Sequence, residues 1–140
     1  MIADADDRDQ STPSSLRATW ITAVAAADAE SLRPLLTDDY EVWAHAAPPV
    51  HGPEAAVLAM RAAMTQYRIA QRFDVIETVV TGEWAFERGV EEMTVTPIAG
   101  GTARTMTQRA LLILHRGNDG RWRYARGMTN GLPTPTRPNE

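Results

Sequence analysis

The chain has 140 residues, a formal net charge of −4 at pH 7, no cysteine, and 44% hydrophobic against 23% charged residues. The apolar fraction is too high for a disordered chain, and no apolar run approaches the roughly 20 residues of a membrane span. Without cysteine there is no disulfide framework, thiolate nucleophile or cysteine-ligated metal, and the mild acidic balance argues against a general nucleic-acid binder.

The length fits a single domain, which we expect at 12–131. An Asp-rich segment at 1–11 and a proline-punctuated segment at 132–140 are predicted to be flexible tails. The start of the chain is acidic and polar and lacks a basic-then-apolar signal segment. The default expectation is therefore a cytoplasmic protein with no membrane association.

Three helices are predicted in the N-terminal half. Thr12 suits an N-cap and Pro13 the first helical position, after which apolar residues recur at helical spacing: Leu16, Trp20, Val24 and Ala27. A second, short helix is predicted after Asp28, with Pro34 as a kink inside it. A third helix opens at Gly52, and its apolar face carries Val57, Met60 and Met64.

Strands dominate the rest of the chain. A short strand is predicted at 40–46, and four longer runs rich in β-branched and aromatic residues follow at 67–80, 83–97, 102–116 and 121–130. Glycine-containing turns separate the longer runs. Helices followed by a meander of strands predict an α+β fold. We expect a cone-shaped, curved antiparallel sheet of four long strands plus a short one, wrapped around three N-terminal helices, with a cavity at its open end.

Four motifs occur in an order that resembles the nuclear transport factor 2-like superfamily, and more narrowly its SnoaL-like and ketosteroid isomerase-like branch. The motifs are Thr37-Asp38-Asp39-Tyr40, Pro48-Pro49-Val50-His51-Gly52, Gly82-Glu83-Trp84-Ala85-Phe86-Glu87-Arg88-Gly89 and Asp119-Gly120-Arg121-Trp122. The resemblance covers roughly 13–131 and implies the fold described above. It leaves the activity open, because the superfamily holds isomerases, cyclases, dehydratases, epoxide hydrolases and non-catalytic modules.

The resemblance implies positions for a ketosteroid isomerase-like site, and this chain departs from the pattern at each of them. The helix-one tyrosine falls on Trp20, whose indole N–H can still donate a hydrogen bond. The first-strand aspartate falls on Ala44, or on His45, whose imidazole suits acid–base work near neutrality. The late-strand aspartate falls on Leu112, which donates nothing. An intact ketosteroid isomerase mechanism is therefore disfavoured, and His45 becomes the predicted catalytic acid/base.

The resemblance also implies which strand residues line the cavity, since alternate residues of a strand share a face. The favoured inward set is Phe86, Arg88, Val90, Gln108, Ala110, Leu112, Ala125, Gly127 and Thr129, with Trp20 and Met64 contributed by helices. The opposite register turns a different set inward: Arg109, Leu111, Ile113, Trp122, Tyr124 and Met128. One β-bulge would exchange the two, and Gly89 is where a bulge or bend is expected.

Arg88 has two possible roles that depend on this register. If it faces inward, it is a permanent cation in an apolar cavity, and it would be catalytic by holding an enolate or carboxylate oxygen. If it faces outward, it pairs with Glu87, Glu91 or Glu92 in a surface network of little energetic weight. Glu41 and Glu77 have the same ambiguity and are interpreted as solvated.

Several other chemistries are disfavoured. The epoxide hydrolase arrangement needs two strand-borne aspartates, but Asp119 is the single aspartate between 83 and 130 and falls in a turn. The three histidines have no metal-ligand spacing, so no metal and no cofactor are expected. A late arginine cluster is interpreted as a solvated or interface face rather than a nucleic-acid site: Arg116, Arg121, Arg123 and Arg126.

The favoured hypothesis is a SnoaL-like enzyme that transfers protons on a hydrophobic, polyketide- or steroid-like carbonyl compound. Arg88, Gln108 or Trp20 would hold the developing oxyanion. A non-catalytic ligand-binding or association module on the same fold is the main alternative, and a nucleic-acid-associated accessory a weaker one. Both registers leave an unusually apolar outer sheet face, so a homodimer through that face is predicted.

Overall fold

The computed structural model describes residues 10–132, so most of both predicted tails lies outside the described residues. The helices are α1 (Pro13–Ala25), a 3₁₀ helix (Glu30–Leu35) and α2 (Gly52–Gln66). The strands are β1 (Leu36–Trp43), β2 (Val50–His51), β3 (Tyr67–Thr81), β4 (Trp84–Pro97), β5 (Arg104–Arg116) and β6 (Trp122–Gly131). These elements confirm the predicted α+β architecture with its helices first and its long strands afterwards.

Local sequence signals explain how the helices begin. The Thr12 hydroxyl accepts the Ser15 backbone N–H at 3.0 Å, and the Thr12 N–H donates to the Ser15 hydroxyl at 2.9 Å. This reciprocal cap satisfies two N–H groups that the first turn of α1 leaves unpaired. Pro34 lies inside the 3₁₀ helix, which stays at one short segment because proline cannot donate within a longer helix.

The six strands form one sheet in the order β2-β1-β6-β5-β4-β3. Neighbours from β3 to β6 are antiparallel, as predicted, but β1 pairs in parallel with β6. A parallel pair needs a long connection, and here α2 and four strands separate its members. The two-residue β2, which the sequence did not indicate, extends the sheet beyond β1.

Two β-bulges interrupt the ladders and decide which side chains meet. We call the sheet face that packs against the helices the inner face, and the opposite one the outer face. The β3–β4 register shifts at Ile76, opposite Gly89 and Arg88, and the β5–β6 register shifts at Ala125. Because of the second bulge, the even-numbered residues Trp122 and Tyr124 share the inner face with the odd-numbered residues that follow the bulge, Gly127 and Thr129. Each of the two predicted registers is thus correct for part of β6.

The core lies between the helices and the inner face. Its fully buried members come from α1, the 3₁₀ helix, α2 and β5, namely Leu16, Val24, Leu32, Leu35, Val57 and Leu114. Gln10, which the sequence assigns to the tail, is also buried. Its amide donates to the carbonyls of Pro34 and Trp122 at 3.0 and 3.1 Å, so ordered structure begins before the predicted boundary. Within residues 10–132 the helices are all too short or too polar to cross a membrane.

Candidate functional site

A cavity of about 270 Å³ lies between α1 and the inner face, with α2 closing one side. Most of its wall is apolar, and includes Ile21, Val42, Met60, Met93 and Leu112. A smaller number of polar side chains interrupt this wall: Arg17, Tyr40, Gln71, Glu91, Gln108, Tyr124 and Thr129. An apolar cleft with a few convergent polar groups is the usual composition of a small-molecule site.

Glu91 is the carboxyl group inside this cavity. It lies on β4, directly opposite Phe73 of β3 and Gln108 of β5. Gln71 and Gln108 both donate amide N–H groups to its Oε1, at 3.4 and 3.3 Å. Burial raises the pKa of Glu91, and these two hydrogen bonds offset only part of that rise. Glu91 therefore keeps its proton to a higher pH than an exposed carboxyl group does.

A hydrogen-bonded chain connects α1 to this carboxyl group. The Trp20 indole N–H donates to Gln71 Oε1 at 3.0 Å, which leaves the Gln71 amide nitrogen directed at Glu91. Trp20 also meets the Tyr124 ring edge-on, with ring centroids 5.6 Å apart. The geometry of Glu91 is thus set by side chains from a helix and two strands, and so does not depend on a loop.

Two phenols face the same cavity. Burial, assisted by the charge of Glu91, raises the pKa of Tyr40 to about 12. Burial also raises the pKa of Tyr124, with the charge of Glu87 adding to it. Both hydroxyls therefore remain protonated and can donate hydrogen bonds. Within residues 10–132 neither hydroxyl has a hydrogen-bond partner, so both are available to a bound molecule.

An ion pair lies beside the cavity wall. The Arg17 guanidinium is 3.5 Å from Oε2 of Glu87, a fully buried residue on β4. The Thr78 hydroxyl donates to the same oxygen at 2.8 Å. The other carboxylate oxygen, Oε1, has no hydrogen-bond partner within residues 10–132. The guanidinium also lies 6.0 Å from the centre of the Phe73 ring, within cation–π range.

Four of the predicted site residues line the cavity: Trp20, Gln108, Leu112 and Thr129. Ala110 is buried on the inner face but does not contribute to the lining, and Met64 belongs to the hydrophobic core. His45 is exposed in the turn after β1. Its backbone N–H donates to the Thr129 hydroxyl at 3.1 Å, which ties that turn to the cavity wall.

The structure corrects the expected orientation of β4. Ala85, Glu87 and Gly89 are buried, so Phe86, Arg88 and Val90 lie on the outer face. Arg88 donates to Glu77 at 2.6 Å, and its side chain is about half exposed. The inward orientation is compatible with two carboxyl groups because Glu87 meets Arg17 and Thr78, while Glu91 accepts hydrogen bonds from Gln71 and Gln108. Hydropathy alone favours the opposite face for these glutamates in a half-buried strand.

Sequence reasoning missed Arg17, Tyr40 and Glu91 as cavity residues, and it turned Tyr124 inward only in the alternative register. A signal for Arg17 was present, because residues three and four positions apart share a helix face and Arg17 precedes Trp20 and Ile21 at that spacing. No comparable signal identified Glu91. In the described part of the chain no three metal-ligating side chains converge on one point.

The arginine cluster of the last hairpin is engaged within the fold. Arg123 donates to both carboxylate oxygens of Asp119, at 3.1 and 2.7 Å, and Arg126 pairs with Asp39 at 3.2 Å. Arg116 lies over the Trp122 ring at 5.7 Å. These contacts account for three of the four arginines as structural groups at the end of the sheet.

A helix-backed curved sheet around a mostly apolar cavity defines the nuclear transport factor 2-like class of proteins. Residues 18–125 match the SnoaL-like domain family, and the chain belongs to that family. The resemblance noted from the sequence is therefore confirmed. No curated protein matches the chain significantly.

Solved structures share this fold. A conserved protein from Planctomyces limnophilus is 25% identical with a TM-score of 0.79, covering 85% of this chain and 94% of its own. A ketosteroid isomerase-like protein from Erwinia carotovora atroseptica is 22% identical with a TM-score of 0.75, covering 91% and 99%. A nuclear transport factor 2-like superfamily protein from Salmonella enterica is 14% identical with a TM-score of 0.74, covering 89% and 91%.

Proposed function

We propose that this protein is an enzyme that transfers a proton on a hydrophobic, polyketide- or steroid-like carbonyl compound, with Glu91 as the acid/base. The observation that carries the proposal is a carboxyl group in a mostly apolar cavity, with a pKa raised by burial and a position set by Gln71 and Gln108. A raised carboxyl pKa brings a general base closer to the working pH, which makes the carboxylate a stronger proton acceptor.

The cavity supplies the groups that such a reaction needs. The Glu91 carboxylate takes a proton from the carbon next to the carbonyl, and the C–H electron pair moves to give an enolate. Tyr40 and Tyr124 donate hydrogen bonds to the enolate oxygen, which carries the developing charge. The carboxyl group then returns its proton to carbon, and return at a different carbon completes an isomerisation. No electron acceptor or metal takes part in these steps.

Family membership supports the proposal at the level of the fold, and one of the similar structures is described as ketosteroid isomerase-like. The proposal departs from the sequence-based hypothesis in its choice of base. His45 is exposed in a turn, and Arg88 is paired with Glu77 on the outer face, whereas Glu91 is inside the cavity. His45 and Arg88 therefore enter the test as competing candidates.

The test is hydrogen–deuterium exchange next to the carbonyl of β-tetralone in heavy water, followed by proton NMR. The wild-type protein should accelerate exchange, and Glu91→Gln should lose about a hundredfold or more of that acceleration. Glu92→Gln is the matched control, because it removes the same charge from the neighbouring, outward-facing position. His45→Ala and Arg88→Ala should both retain the wild-type rate.

Retention of the wild-type rate by Glu91→Gln would overturn the assignment of the base. If His45→Ala lost activity instead, the base would be the histidine first indicated by the sequence. If the wild-type protein bound β-tetralone and related ketones without accelerating exchange, the non-catalytic binding module would become the better description.

We also propose that two copies of the chain associate through the outer face. Leu111, Met128 and Trp43 are adjacent in register across β5, β6 and β1, and are 43%, 47% and 52% exposed. Ile113 and Phe86 continue this apolar surface on the neighbouring row. Exposed apolar patches that cross several strands are typical of association surfaces, and a twofold dimer pairs the same patch on both subunits.

Light scattering coupled to gel filtration tests this association. Leu111→Glu should convert a dimer into a monomer, because it places two charges in the centre of the paired faces. Leu58→Glu is the matched control, since Leu58 is 50% exposed but lies on α2, away from the sheet. A wild-type protein that runs as a monomer at every concentration would contradict the proposed dimer.

A further inference from the structure

Arg17 stands out among the cavity residues as a charged group on an otherwise apolar helix face. Its side chain is 16% exposed, against 23% to 66% for six other ion-paired arginines: Arg33, Arg61, Arg72, Arg88, Arg123 and Arg126. It precedes Trp20 and Ile21 by three and four positions, and all three line the cavity. Its guanidinium therefore borders the space that a ligand would occupy.

The guanidinium has more donor groups than partners. Its one polar contact within residues 10–132 is with Glu87 Oε2 at 3.5 Å, which is longer than a normal N–H···O hydrogen bond. A guanidinium carries several N–H donors in a planar fork. Within residues 10–132 none of the Arg17 nitrogens is a buried atom without a partner, so the donors that do not face Glu87 are open to solvent and available to an acceptor on a bound ligand.

Two neighbours hold the guanidinium in place without using up its donors. Glu87 is fully buried and is itself fixed by the Thr78 hydroxyl at 2.8 Å, so it provides a stationary counter-charge. The Phe73 ring lies 6.0 Å from the guanidinium carbon. A cation that is positioned in advance loses little conformational freedom when an anion binds.

We propose that the ligand of this cavity carries a carboxylate group, that Arg17 binds this carboxylate, and that the apolar body of the ligand packs against Trp20 and Leu112. The inference rests on the proposed function only in taking the cavity as the ligand site. A planar fork matches the two oxygens of a carboxylate in a bidentate pair. The substrate class is thereby narrowed from apolar carbonyl compounds to apolar keto acids.

A carboxylate fits this site better than a more highly charged group. Glu87 already compensates part of the charge of Arg17, and a phosphate dianion would add repulsion from that buried carboxylate. The rest of the wall is mostly apolar and offers no second unpaired cation, since Arg72 contacts both Asp74 and Glu92. One negative charge on an apolar body is therefore the matching ligand.

The test compares two probes of nearly the same shape, β-naphthoate and methyl β-naphthyl ketone. The ketone has a methyl group where the naphthoate has its second carboxylate oxygen. Titration calorimetry with the wild-type protein should give at least about tenfold tighter binding of the naphthoate, and the preference should shrink as salt is added. NMR of the arginine Nε–H groups should show the Arg17 resonance shifting with the naphthoate and not with the ketone.

Variants then assign the preference to Arg17. The double variant Arg17→Gln, Glu87→Gln removes both charges together, so it leaves no buried carboxylate without a counter-ion. It should bind the two probes equally. Arg61→Gln is the matched control, because it removes one exposed arginine from α2, and it should keep the wild-type preference. Arg17→Lys retains the charge without the planar fork and should keep only part of the preference.

Equal or weaker binding of the naphthoate by the wild-type protein would overturn the inference, as would an unchanged preference in the double variant. The wild-type measurement decides the matter even if a variant fails to fold. Glu91→Gln should keep the naphthoate preference although it loses proton exchange on β-tetralone. Failure of the carboxylate site and failure of the catalytic carboxyl group are therefore distinguishable.

Discussion

Trp20 and Gln71 are joined by a hydrogen bond of 3.0 Å that connects the first helix to the third strand. The bond has a consequence beyond packing. Because the indole N–H can only donate, it selects the orientation in which the Gln71 carbonyl oxygen faces Trp20 and the amide nitrogen faces Glu91. A residue on α1 thereby helps to determine the protonation behaviour of a carboxyl group on β4.

Trp20→Phe should raise the pKa of Glu91 further. Loss of the indole N–H leaves Gln71 Oε1 without its partner, so the amide is free to turn its oxygen toward the carboxyl group. The hydrogen bond by which Gln71 lowers the pKa of Glu91 is then weakened. Stability should fall by about 1 kcal/mol, the ordinary cost of a lost, partly buried hydrogen bond. Carboxyl carbon chemical shifts recorded against pH report the first effect, and urea unfolding the second.

The matched control is Trp84→Phe. Trp84 is 48% exposed and packs on His115, away from the cavity, so this change should leave the titration of Glu91 unaltered. A Glu91 titration that is the same in wild type and Trp20→Phe would contradict the orienting role of the indole.

Glu91→Gln should change how stability depends on pH. The folded-state pKa of Glu91 lies above the ordinary carboxyl value of about 4.3, so the native state binds more protons between those two values than the unfolded state does. Glu91 therefore lowers the free energy of unfolding as pH rises from the ordinary value through the raised one. The glutamine variant lacks this decrease. Between acid pH and neutrality, the wild-type protein should therefore lose stability relative to Glu91→Gln.

Chemical denaturation at a series of pH values measures this difference. Glu92→Gln serves as the reference, because it makes the same chemical change on the opposite face of β4. If the difference in unfolding free energy between wild type and Glu91→Gln were constant across the series, the raised pKa of Glu91 would be contradicted.

The fold was predictable because its signals are local. The Thr12–Pro13 start of α1, the helical spacing of its apolar residues and the glycine turns between strands each specify one element. Short-range signals of this kind do not depend on which residues lie across the sheet. The parallel pairing of β1 with β6 is different, because its partners are far apart in sequence and no local pattern encodes it.

The site was only partly predictable, because its composition depends on strand faces. Alternation assigns a face only up to the next bulge, and Ala125 and Ile76 each add an unpaired residue to a ladder. On β4 the hydropathy pattern also pointed the wrong way. Phe86 and Val90 lie on the outer face, while Glu87 and Glu91 lie on the inner face. Hydropathy alone therefore does not predict that Glu91 is the carboxyl group of the cavity.

Asp119→Asn should weaken the last hairpin. Its carboxylate accepts two hydrogen bonds from Arg123 and one from the Arg121 N–H, and the guanidinium of Arg123 holds the pKa of Asp119 down at about 2. Arg123 also donates to the Pro34 carbonyl, which links the hairpin to the 3₁₀ helix. The carboxylate is 44% exposed, so solvent screening limits the expected loss to about 1 kcal/mol or less.

The pH dependence of this contribution has the opposite sign to that of Glu91. A lowered carboxyl pKa stabilises the fold above the ordinary value of about 3.9, and the stabilisation is lost as pH falls toward about 2. Wild type and Asp119→Asn should therefore differ in thermal midpoint near neutrality and converge in strong acid. A difference that grew on acidification would contradict the assigned pairing.

Gly89→Ala should be the most damaging of these changes, because β3 and β4 approach each other closely at the bulge. A Cβ atom at this position would lie 2.3 Å from the Asp74 carbonyl oxygen and 2.9 Å from the Phe73 ring. The oxygen belongs to the backbone, so the clash is relieved only if β3 moves. We expect a loss of about 3 kcal/mol, at the upper end for overpacking, measured by urea unfolding. Phe73 lines the cavity, so ligand binding should weaken as well.

The control is Arg88→Ala, one residue away on the outer face. It should lower the free energy of unfolding by less than about 1 kcal/mol, since it removes an exposed ion pair. Equal losses in the two variants would contradict the close approach at Gly89.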